Sequence, residues 1–113
     1  MLQHLVDQSQ AEIGVTAITA AELYYGVERS NDPAQNAQAL ERFLLPLAIV
    51  DFDYDAAVAY GTLRAALAVA GTPIGPLDTL IAAQALSRRL TLITNNTREF
   101  ARVPGLSVED WTQ

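Results

Sequence analysis

Three short apolar runs, "IGVTAI" (13–18), "AIVDFD" (48–53) and "LTLIT" (90–94), alternate with longer segments of helical pattern. Runs rich in β-branched residues at this length read as strands. Strands separated by helices cannot close as hairpins. They specify an α/β domain, a mainly parallel sheet with helices on both faces. Between the runs, Thr19 opens "TAAELYYGVERS", with Glu22 at capping-box spacing. Pro33 starts "PAQNAQALERFLLPL", with Leu40, Phe43, Leu44 and Leu47 on one face. Asp55 is placed to cap "AAVAYGTLRAALAVAG", which stops at Gly71. The loop "TPIGP" leads into a helix from about Leu77 to Arg89, and "NNTREF" (95–100) is a turn with a short helix. "LSVEDW" (106–111) reads as a last strand or extended end, and residues 1–8 as the tail of a helix.

The 113 residues make one domain. Without cysteine there is neither a disulfide nor a thiolate metal site, which fits a reducing compartment. No apolar run is long enough to cross a bilayer, and the start lacks a basic segment followed by an apolar core, so the cytoplasm is the expected location. A net charge of −6 argues against coating nucleic acid through bulk electrostatics. All seven basic residues are arginines, which favour forked contacts with phosphates. Genome composition accounts for the same arginine bias at least as well. His4 is the only histidine, so a Ser-His-Asp or Cys-His relay is not expected.

In α/β sheets, sites form beyond the carboxyl ends of the strands. Glu22 follows the run at 13–18, Asn95 and Asn96 follow the run at 90–94, and Asp78 starts the helix that feeds that same run. Each has an ordinary structural reading: Asp78 a helix-terminal carboxylate, Glu22 a capping-box partner, the asparagines a turn, Glu99 a solvated charge. Together they are a set of hard oxygen donors at one sheet edge, suited to Mg²⁺. Helix N-termini near both carboxylates are expected to keep them ionised.

"TAITAAELYYGVERS", "GTPIGPLDTLIAAQAL" and "LITNNTREFARVPGLSVEDW" resemble, in order, the signatures of PIN-domain ribonucleases of the VapC toxin type. The match runs from about residue 13 to the end and is most similar to the tRNA(fMet)-specific endonuclease subgroup. The resemblance implies a three-layer α/β/α domain with strand order 3-2-1-4-5. It implies Mg²⁺- or Mn²⁺-dependent RNA cleavage, with tRNA as the substrate class of that subgroup. It implies a homodimer held by a VapB-type antitoxin. Carried over, Asp78 and Glu22 take the metal, Asn96 takes the fourth polar position, and Glu99 places water; Thr94 faces the same region.

One part of that pattern is missing. Such domains open with a central strand ending in Leu-Asp-Thr-Asn, whose aspartate is a metal ligand. Only 14 residues separate Asp7 from Glu22, too few for the intervening elements, so Asp7 is not its substitute. Roughly 25 residues of the domain are absent by ordinary element lengths. The expectation is therefore a truncated domain lacking its central first strand, with a gap between the runs at 13–18 and 90–94. Two alternatives follow: a catalytically impaired remnant that still binds antitoxin, or a true start upstream of Met1.

Overall fold

The structure, a computed structural model, describes residues 4–8 and 12–110. Its elements run β1 (His4–Gln8), β2 (Glu12–Thr16), α1 (Ala17–Glu28), α2 (Pro33–Leu44), β3 (Ala48–Val50), α3 (Tyr54–Ala70), α4 (Pro76–Arg88), β4 (Thr91–Thr94), α5 (Thr97–Phe100) and β5 (Ser107–Glu109). The five strands form one sheet in the order β3-β2-β1-β4-β5. That is the 3-2-1-4-5 order the resemblance implies, but the first strand differs in kind.

β1 corrects two expectations. Residues 4–8 are a strand, not the tail of a helix, and they fill the slot expected to be empty. The sheet is mixed as a result. β1 is antiparallel to both neighbours, pairing Val6 with Gly14 and with Leu92, while β2–β3 and β4–β5 are parallel. The direction has a simple cause. Only residues 9–11 lie between β1 and β2, and a parallel connection needs a crossover of a dozen residues or more. The driving force is equally plain. Without β1, the facing N–H and C=O groups of β2 and β4 would lack partners in the middle of the sheet. Val6, fully buried, joins Val50, Leu63, Leu67, Ile81, Leu92 and Phe100 in the main core. Val15 and Ile93, at alternate positions, are buried on the opposite face.

Three helix starts, those of α1, α2 and α3, are set by a side-chain acceptor. α1 begins at Ala17, capped by Thr16, whose Oγ1 accepts from the Thr19 amide at 3.1 Å. The capping box expected at Thr19 and Glu22 therefore does not form, and Glu22 lies well inside the helix. α2 is capped by Asp32 with Pro33 in its first turn, as expected. α3 is capped by Asp53, which accepts from the Ala56 amide at 2.9 Å, so Asp55 falls in the first turn instead. Gly71 ends α3 in the left-handed conformation, φ 73°.

α4 is the helix nearest the middle of the molecule, with Thr79 and every residue from Ile81 to Ala85 buried. It packs against α3 and α1. Gln84, fully buried, donates to the Val50 carbonyl at 2.9 Å and ties α4 to the end of β3. "LSVEDW" yields β5 at 107–109, and Trp111 lies outside the described residues.

Two substitutions test this arrangement by urea denaturation. Val6→Asp puts an unpartnered carboxylate in the core and should cost about 3 kcal/mol or more. An ordinary transition midpoint in that variant would show that β1 does not occupy the core. At Gly14 an added Cβ would stand 2.6 Å from the Ala48 carbonyl oxygen. Gly14→Ala must therefore push β3 aside, lowering stability by about 1–3 kcal/mol.

Candidate active site

The carboxyl ends of β2 and β4, the start of α4 and the short helix α5 meet at one edge of the sheet. α4 enters through Gly75 and Pro76, with no side-chain cap, and Asp78 sits in its first turn. Glu99 reaches back from α5, and its Oε1 accepts from the Gly75 amide at 2.9 Å. Asp78 and Glu99 hydrogen-bond through their carboxyl groups. The Asn96 side-chain amide donates to Glu99 Oε2 at 3.4 Å, and its backbone N–H donates to Thr94 Oγ1 at 3.0 Å. Thr94 is buried at the last position of β4. Glu22, half-buried on α1, is near enough for its charge to act on Asp78.

Four of the residues singled out in the sequence thus converge: Asp78, Glu99, Asn96 and Thr94, with Glu22 acting on Asp78 through space. In the β1 register Asp7 lies opposite Thr91 and Ile13, while His4 is the residue opposite Thr94. Three strand positions, about 10 Å, separate Asp7 from the site edge. Tyr24 and Tyr25 are exposed, and Tyr25 stacks under Arg29.

The expectation that helix termini keep the carboxylates ionised fails for Asp78. Its pKa is pushed up to about 7, first by burial, then by the hydrogen bond its protonated form donates to Glu99 and the charges of Glu99 and Glu22. The dipole of one helix end does not offset desolvation plus two like charges. Glu99 moves the other way. The Gly75 amide foremost, then Asp78, Asn96 and Arg102, hold it below its ordinary value. Below about pH 7 Asp78 is mostly protonated while Glu99 is ionised, the usual settlement when two acids crowd one place.

Sequence reasoning missed the brace on Glu99. Gly75 has φ −54°, which any residue tolerates, and an added Cβ would make ordinary contacts of 3.6 Å to Asp78 and Glu99. What matters is its amide. That signal is invisible in a sequence, because every non-proline residue has an amide.

The donor set fits a hard divalent cation. Asp78 and Glu99 bring carboxyl oxygens side by side, with the charge of Glu22 acting on Asp78 from α1. Mg²⁺ commonly takes one or two carboxylates and completes its shell with water. Among the described residues, no three histidine, cysteine, aspartate or glutamate side chains converge into a closed cage.

A mixed α/β sheet in 3-2-1-4-5 order, with acids gathered at the exit of its central strands, defines a class. The pattern of the PIN domain matches residues 2–106, and the chain belongs to that family. Among curated relatives, the tRNA(fMet)-specific endonuclease VapC of Salmonella typhimurium is 47% identical over 97 residues, 86% of this chain and 74% of the relative. The protein of the same name from Shigella flexneri is 44% identical, covering 92% and 79%. Among solved structures, DNA-bound VapBC from Salmonella typhimurium superposes with a TM-score of 0.84 at 47% identity, over 86% of this chain and 74% of that one. VapBC-1 from nontypeable Haemophilus influenzae superposes at 0.88 with 32% identity, over 94% and 79%.

The paired acids set a pH signature for the metal-free protein. A carboxyl whose folded pKa is raised binds more protons folded than unfolded, so stability falls as pH rises from its unfolded pKa through its folded one. For Asp78 that window runs from 3.8 to about 7. Glu99, shifted downward, acts in the opposite direction and only below about 4.5. The melting temperature in chelator should therefore fall between about pH 5 and pH 7.5, and Asp78→Asn should flatten the slope. A slope identical in wild type and variant would remove Asp78 as its source.

Proposed function

We propose that the chain is the toxin of a type II toxin–antitoxin pair, an endoribonuclease that cuts RNA at the Asp78–Glu99 edge and is held by a VapB-type antitoxin. The observation that carries the reading is the braced acid pair, in a chain 47% identical to a tRNA(fMet)-specific endonuclease. tRNA is accordingly the substrate class to try first. The VapBC complexes among its structural neighbours support the antitoxin partner. A homodimer in the cytoplasm completes the proposal, and among the described residues no helix is long and apolar enough to cross a membrane.

The reaction is hydrolysis of a phosphodiester. Water adds to phosphorus, one P–O ester bond breaks, and the leaving ribose oxygen takes up a proton. Asp78 and Glu99 would hold Mg²⁺ or Mn²⁺, with Glu22 adding charge from α1. The bound ion supplies Lewis-acid stabilisation for charge developing on the phosphate. Glu99, ionised and oriented by the Gly75 amide, is placed to accept a proton from the attacking water at a carboxylate oxygen. Asn96 steers the Glu99 carboxylate from its other oxygen. Arg102, whose guanidinium donates to the Pro73 carbonyl at 2.9 Å, brings a fixed positive charge beside the site.

Asp78→Ala should slow RNA cleavage by at least about 100-fold with the fold retained, Glu22→Gln less, and chelator should abolish cleavage in the wild type. Equal rates for wild type and Asp78→Ala would refute the assignment. Antitoxin capture with no cleavage at any Mg²⁺ or Mn²⁺ concentration would identify the chain as a binding module instead.

A further inference from the structure

Against the 73–76 loop and the start of α4 lies a cavity of about 320 Å³, lined by Tyr60, Arg64, Leu67, Ile74, Pro76 and Thr79, among others. That is the small end of the about 300–1,000 Å³ range of ligand pockets, room for one flat ring system. Leu67 is buried and Ile74 half-buried, which gives the cavity an apolar interior. Its polar groups include a matched pair. The Arg64 guanidinium donates to the Tyr60 hydroxyl at 2.9 Å and stands 5.9 Å from the centre of that ring. No carboxylate lines the cavity, although the chain carries a net charge of −6.

Position makes this more than a surface dent. Pro76 and Thr79 flank Asp78 in the first turn of α4. The 73–76 loop is pinned from the α5 side by the Gly75–Glu99 and Arg102–Pro73 hydrogen bonds. Thr79 on the cavity wall is the residue next to Asp78, so the wall and the acid pair share the first turn of α4. Proteins read unpaired RNA by stacking bases on aromatic rings and guanidinium planes and by bonding to base edges. Arg64 spends one donor on Tyr60 and keeps others for a ligand. Two adjacent acceptors on one edge, O6 and N7, belong to guanine.

We propose that this cavity receives a guanine base adjoining the phosphate that is cut, packed on Tyr60 and read by Arg64. The assignment rests on the ribonuclease reading for its substrate and adds the part of that substrate which is recognised.

The test uses the intact chain and labelled, non-cleavable 2′-O-methyl oligouridines carrying one guanine, one adenine or neither. Affinity is followed by fluorescence anisotropy. Wild type should bind the guanine strand about tenfold more tightly than oligouridine. Arg64→Ala should lose the advantage of guanine over adenine, and Tyr60→Ala the advantage of both purines. Tyr60→Phe keeps the ring, so it should retain the purine advantage; it also supplies the readout should Tyr60→Ala fail to fold. Equal affinity of the wild type for all three strands overturns the proposal, as does a guanine preference unchanged in Arg64→Ala and the Tyr60 variants. Cleavable strands then separate the two readings. Guanine preference without cleavage sinks the nuclease and leaves the cavity standing; cleavage indifferent to the neighbouring base does the reverse.

Discussion

The pairing of residues 4–8 with both β2 and β4 holds the rest in place. A sheet of this order has its two inner parallel strands on either side of a single slot. An empty slot would expose backbone groups of both neighbours and part the core beneath them. Here a five-residue strand fills it, running opposite to its neighbours. Val6 carries the contact down to α3 and α4 through the shared core. Once β2 and β4 are held at the right spacing, the elements that leave their ends, α1 and α5, are held too. The acid cluster is thus a downstream product of strand pairing.

The cluster shows how one environment splits two similar groups. Asp78 and Glu99 are both carboxylic acids in van der Waals reach of Gly75. Burial and two acidic neighbours push one toward its neutral form, while a backbone donor and a nearby arginine draw the other toward its charged form. Such a split sets a proton donor beside a proton acceptor near neutral pH.

Much of this was legible in the sequence, for identifiable reasons. The run at 90–94 revealed β4 because a buried strand must be apolar, and the run at 48–53 revealed β3 because its β-branched residues suit a strand even at the sheet edge. Pro33 and Gly71 marked the start of α2 and the end of α3 because each has a conformational restriction or freedom that other residues lack. Asp78, Asn96 and Glu99 could be grouped because sheet topology sends strand ends to one edge. The caps were less legible. Thr16 and Thr19, or Asp53 and Asp55, offer the same chemistry two or three residues apart, and only the end of the preceding strand chooses between them. β1 was not legible at all. "HLVDQ" holds one β-branched residue among three polar ones, so no strand pattern stands out, and its pairing comes from distant segments with vacant hydrogen-bonding edges. The raised pKa of Asp78 depends on burial and on Glu99, 21 residues further along, which spacing alone does not reveal.

The 73–76 loop belongs to two compartments at once, the acid pair and the Tyr60–Arg64 cavity. A ligand that shifts this shared loop from either compartment alters the shape offered to the other. Thermodynamic linkage then makes the influence mutual: whatever factor the first occupant imposes on the second, the second returns in full. A few residues of loop are in this way enough to couple whatever occupies the two compartments.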